Sequence, residues 1–123
     1  MIARRRVNSN VGFLPIANLM KRIMYIERKG GELDGPGRIG WVEMTRSTRS
    51  YRYGGKVLQK VAGYKYNCVD AETGENYWVS GPKKNGEDKL YGGVVHIDED
   101  AREEYWLKIR GLPQFVTQRS YRS

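Results

Sequence analysis

The chain has 123 residues, 39% of them hydrophobic and 29% charged, with a formal net charge of +8, a length that suits one domain with a modest core. Its one cysteine, Cys68, excludes an intrachain disulfide and a cysteine-based zinc cage, and no apolar run reaches the roughly 18 residues that cross a bilayer as a helix. Three tryptophans, nine tyrosines and fifteen glycines point to a folded, turn-rich domain, expected to be soluble and cytoplasmic.

Residues 1–20 read as a flexible leader. Arg4, Arg5 and Arg6 precede an apolar stretch broken by Gly12, Pro15 and Asn18, which argues against a secretory signal. An acid-poor organelle transit peptide is the lesser alternative. A single β-rich domain is expected over residues 21–112. Its first strand, 21–28, centres on Ile23, Met24, Tyr25 and Ile26, and Gly30, Gly31 and residues 34–37 then form a loop. A second strand, 38–45, sets Ile39, Trp41 and Glu43 on one face and Val42 and Met44 on the other. Tyr51 and Tyr53 alternate with Arg52 in a third strand that Gly54 and Gly55 end, and a short fourth covers 57–61. The clearest hairpin alternates Tyr64, Tyr66 and Cys68 with Lys65, Asn67 and Val69. It turns over residues 70–74 with Gly74 left-handed, and returns over 75–80. Asn85 and Gly86 signal another turn, and 94–97 is the last expected strand.

A helix is predicted over about residues 99–110. Asp98 suits the N-cap, Glu99 and Asp100 suit the positive end of the dipole, and Ala101, Tyr105 and Ile109 share a face. Gly111 and Pro113 stop it. Residues 113–123 lack a period and are expected as a flexible basic tail. These elements predict a mainly β fold: a small, partly open β-barrel or curved antiparallel sheet, SH3-like or OB-like, with one C-terminal helix.

Several stretches carry a resemblance: Lys21-Arg22-Ile23-Met24-Tyr25-Ile26-Glu27, then Gly35-Pro36-Gly37-Arg38-Ile39-Gly40, and Glu72-Thr73-Gly74-Glu75-Asn76-Tyr77-Trp78-Val79-Ser80-Gly81. Residues 83–86 and 98–106 belong with them. Over about residues 21–112 the chain resembles a family of small uncharacterised bacterial proteins, some automatically labelled deoxyxylulose-phosphate synthase. The chain is far too short for a thiamine-diphosphate enzyme and lacks a diphosphate-binding motif. The resemblance therefore implies a domain boundary and no mechanism.

Gly35, Gly37 and Gly40 match the dinucleotide spacing G-x-G-x-x-G, but the following Trp41-Val42-Glu43-Met44 reads as strand where that motif needs a helix, so a turn or bulge is preferred. His96 is the only histidine. With Asp98 or Asp100 and Cys68 it could support a small hydrolase or transferase, but a structural histidine and a buried thiol are the plainer reading. Asp98, Glu99, Asp100 and Glu103 could form an all-carboxylate metal site, and helix capping explains them better. The loop 80–86, with Lys83 and Lys84, lacks P-loop spacing and reads as a hairpin connection. No catalytic residue, metal or cofactor is therefore assigned.

Charge is polarised along the chain: +4 over residues 1–37, +6 over 38–65, −6 over 66–104 and +4 over 105–123. The +6 segment is the most suggestive. Arg38, Arg46, Arg49, Arg52, Lys56, Lys60 and Lys65 are interleaved with Trp41, Tyr51, Tyr53, Tyr64 and Tyr66. Arg46, Arg49, Arg52, Lys56, Lys60 and Lys65 are expected to carry the charge, with Trp41, Tyr51 and Tyr53 as candidate stacking or packing rings. Cations can hold a phosphate backbone while rings stack on bases. The competing reading sends the rings to the core and the cations to water. The expectation is a non-enzymatic module that contacts nucleic acid or another polyanion through a basic sheet face. An acidic protein partner, met by a charged surface or an edge strand, is the alternative. The oligomeric state is left open, and no membrane partner is expected.

Overall fold

A computed structural model describes residues 19–30, 35–45, 47 and 49–123. The leader, apart from its last two residues, and Arg46 lie outside the described residues. The described residues form eight strands: β1 Leu19–Arg28, β2 Gly37–Thr45, β3 Ser50–Tyr53, β4 Lys56–Lys60, β5 Cys68–Asp70, β6 Asn76–Ser80, β7 Val94–Ile97 and β8 Ser120–Arg122. The first six run antiparallel, each to the next. β1 pairs with both β2 and β6, which closes a six-stranded barrel. Closure leaves none of the six with an unpaired edge along its whole length.

The two longest strands, β1 and β2, carry apolar residues on both faces. Met24 and Ile26 of β1 and Val42 and Met44 of β2 point into the barrel. There they pack with Tyr51, Leu58, Cys68, Tyr77 and Val79. The intervening Ile23, Tyr25 and Ile39 face outward and form a second core with Val95, Ile97, Ala101, Tyr105 and Trp106. Where a strand is buried on both faces, successive positions must be apolar, and Ile23–Ile26 of β1 and Ile39, Val42 and Met44 of β2 supply them.

The second core exists because β7 docks beside β2. Gly37–Ile39 pairs in parallel with Val95–Ile97, and β8 adds antiparallel to β7. The segment expected as a flexible tail thus holds a 3-10 turn, Pro113–Phe115, and a strand. Three residues are too few to show a period. Tyr121 stacks on Tyr105 at 5.5 Å and donates to Asp88 Oδ2 at 2.6 Å, while Trp106 Nε1 donates to the Gln118 carbonyl at 2.9 Å.

The helix runs on as a 3-10 turn Glu99–Ala101, an α-helical turn Arg102–Glu104 and a π-helical stretch Tyr105–Arg110. Gly111 ends it in the left-handed conformation at φ 64°. One expectation at its start needs correcting. Asp98 stands at the N-cap position but makes no side-chain capping bond, because its carboxylate is engaged elsewhere.

The predicted hairpin is shorter than alternation suggests. The turn forms as expected, with Gly74 at φ 78° and Asp70 Oδ1 accepting from the Glu72 and Thr73 amides. Those amides hold the Asp70 carboxyl below its usual range. Tyr64 and Tyr66, however, are exposed outside any strand. Asn67 explains the break. Its side-chain amide donates to and accepts from the Val79 backbone, at 2.8 and 2.9 Å, where a strand residue would otherwise pair.

Candidate functional site

The cations of the +6 segment divide between the two ends of the barrel and its outer wall. On β4, Leu58 points inward, so Lys56 and Lys60 share its side at opposite ends of the strand. Lys60 belongs to the end formed by the β2–β3 and β4–β5 connections. These are neighbours: the Lys60 amide donates to the Arg49 carbonyl at 3.1 Å, and the Val61 amide donates to the Asn67 carbonyl at 2.9 Å, pinching the loop. Arg49, Lys60 and Lys65 are all exposed here. Residues 47, 49 and 59–67 contain no aspartate or glutamate. Tyr64 is 87% exposed and Tyr66 36%.

Arg52 faces outward from β3, level with Glu43 of β2, which is level in turn with Lys21 of β1. This row alternates in sign, so Arg52 does not extend a uniformly positive face. Lys56 lies at the other end, next to a mixed set of charges.

That other end is built at a fork. One edge of β2 follows β1 throughout. Its other edge pairs with β7 over Gly37–Ile39 and with β3 at Glu43 and Met44. Between them, β7 delivers Asp98 and β3 delivers Tyr53 over Gly40. A Cβ on Gly40 would collide with Asp98 Oδ2 and stand 2.6 Å from the Tyr53 ring. Asp98 Oδ1 accepts from Arg38 Nε at 2.8 Å and Nη2 at 2.6 Å, and Oδ2 accepts from the Tyr53 hydroxyl at 2.6 Å. Burial, and then the bond to Asp98, push the Tyr53 hydroxyl well above its ordinary range, so it stays a donor. The Asp98 hydrogen bond likewise raises Arg38. The Trp41 indole is fixed as well: its Nε1 donates to the Asp100 carbonyl at 2.9 Å, and Lys21 Nζ sits 5.3 Å from the ring centre.

The three rings expected to stack or pack beside the cations therefore serve different ends. Tyr51 is buried in the barrel, with Lys60 Nζ 5.4 Å from its ring centre. Tyr53 and Trp41 belong to the fork. Tyr64 and Tyr66, which the sequence places both in the hairpin and among the cations, are the exposed rings beside Arg49, Lys60 and Lys65. The signal that separates them is the side-chain pairing of Asn67, which a strand pattern does not display.

The glycine triplet has a steric role. Gly37 and Gly40 lie inside β2, and a Cβ on Gly37 would stand 2.8 Å from the Tyr25 hydroxyl. Cys68 is fully buried in the barrel, and desolvation pushes its thiol up from 9.0 to about 11. That disfavours the thiolate. His96 is exposed on β7, outside the barrel wall, level with Arg38. Among the described residues, no group of three or more His, Cys, Asp or Glu is placed to hold a metal ion. Among them, too, no helix is long and apolar enough to cross a membrane.

No protein-family model matches this chain, and no curated protein or solved structure matches it significantly, so the resemblance over residues 21–112 receives no support from these comparisons.

Proposed function

We propose that this chain is a non-enzymatic binding module that holds single-stranded nucleic acid at the barrel end formed by the β2–β3 and β4–β5 connections. One observation carries the reading: Arg49, Lys60 and Lys65 share that end with no carboxylate in its connections, beside two exposed tyrosines. The cations neutralise phosphates and release counterions. Tyr64 and Tyr66 offer faces on which unpaired bases stack. Arg46, in the same β2–β3 connection by sequence, adds to the charge count. A duplex fits less well, because its bases are already stacked and offer no face to these rings.

The test is fluorescence anisotropy with a labelled single-stranded oligonucleotide across a salt series. Three phosphate contacts predict a log–log salt slope of about −2, from roughly −0.7 per neutralised phosphate on a single strand. Lys60→Glu combined with Lys65→Glu should abolish binding, while Lys56→Glu at the far end should leave it within about twofold. Affinity that ignores salt, or that falls equally for the far-end variant, overturns the proposal.

A further inference from the structure

The fork opens a cavity of about 490 Å³ at the opposite end of the barrel, within the size range of small-molecule sites. Ile26 and Tyr77 give it apolar lining from the barrel interior, and Trp41 and Tyr53 add two rings. Arg28, Arg38 and Lys56 bring positive charge to the same space. A site serves best when its walls are set before the ligand arrives, and these are. Asp98 is saturated by Arg38 and Tyr53, and Trp41 is tied to the Asp100 carbonyl.

The rim is open. Gly54 and Gly55, at φ 55° and 80°, make the two-residue turn that joins Tyr53 to Lys56, and nothing lies within 4 Å of where a Cβ would stand on either. Lys56 follows that turn and has no ion-pair partner among the described residues. Among the described residues Arg28 has one ion pair, an exposed contact with Glu75 at 3.3 Å, which an incoming anion can replace. Both Asp98 oxygens are engaged, so among the described residues the exposed Asp100 is the one lining carboxylate whose side chain makes no such bond.

We propose that this cavity binds a small ligand in which a flat ring carries an anionic group. The ring lies against Trp41 and Tyr53, and the phosphate or carboxylate meets Lys56 and Arg28. This site is separate from the nucleic-acid end and does not depend on it.

The experiment is an NMR titration of the full chain with adenosine monophosphate and, separately, with 4-hydroxybenzoate. Adenosine and inorganic phosphate serve as single-feature controls. Saturable shifts of the Trp41 indole N–H and the Gly54 and Gly55 amides by either anion support the proposal, and which anion acts identifies the headgroup. Each control should bind at least about tenfold more weakly, since it engages half of the site. Lys56→Glu should weaken binding by about tenfold or more, and Lys60→Glu should leave it unchanged. No saturation by either anion, shifts confined to residues 59–67, or equal affinity in Lys56→Glu overturns the proposal.

Discussion

The two ends of this barrel use positive charge in opposite ways. At one end Arg49, Lys60 and Lys65 stand in water without an acid in their own connections. At the other, Arg38 is locked to Asp98 by two short hydrogen bonds, and Tyr53 completes the carboxylate's shell. The first arrangement leaves its charge available to a partner, while the second commits Arg38 to fixing side chains around a cavity and leaves Lys56 and Arg28 to face it. A cation's worth to binding therefore depends on what its neighbours leave unsatisfied, more than on how many cations the segment holds.

Removing pieces from each end sharpens this contrast. The largest effect is expected at Gly40, whose missing Cβ makes room for Asp98 and Tyr53. Gly40→Ala should lower unfolding stability by about 3 kcal/mol in urea titration, since overpacking a filled site displaces its neighbours. A loss below about 0.5 kcal/mol would mean that the fork is looser than its contacts indicate. Next comes Asp98→Ala, which strips the part-buried Tyr53 hydroxyl of its acceptor and leaves the half-exposed Arg38 guanidinium to water. A loss of about 2 kcal/mol is expected, against a change within about 0.5 kcal/mol for Lys65→Ala at the exposed end. Equal losses would erase the distinction between the ends.

The smallest effect is a pH dependence from the barrel interior. Burial raises the Cys68 thiol from 9.0 to about 11. A raised pKa favours the protonated, folded form, so its stabilisation is complete below pH 9 and is lost as pH climbs towards 11. Buried tyrosines add to the same trend, so the comparison is with Cys68→Ala. The wild-type stability curve should fall more steeply between pH 9 and 11 than the variant's, and parallel curves would refute the assignment.

Much of the architecture was readable from residue order. The split of Ile39 and Trp41 from Val42 and Met44, the left-handed Gly74 and the helix stop at Gly111 all follow from short-range rules. The fork was not readable. Arg38 and Asp98 lie 60 positions apart, and no local pattern distinguishes a carboxylate that caps a helix from one that reaches across to another strand. The segment charge of +6 is incomplete for the same reason, because Asp98 of the −6 segment pairs with Arg38 only in space. Strand β8 was missed because Tyr121 is held by partners on Tyr105, Trp106 and Asp88 rather than by its own periodicity.

The wall shared by the two cores has a consequence for how the chain folds. β1 and β2 present one row of side chains to the barrel and the other to the helix and β7, and the barrel closes only when the first strand meets the sixth. Neither half can mature while the other is unmade, and the closing contact spans much of the sequence. Such a chain is expected to assemble slowly and in one cooperative step, with no stable partial domain that could be excised from it.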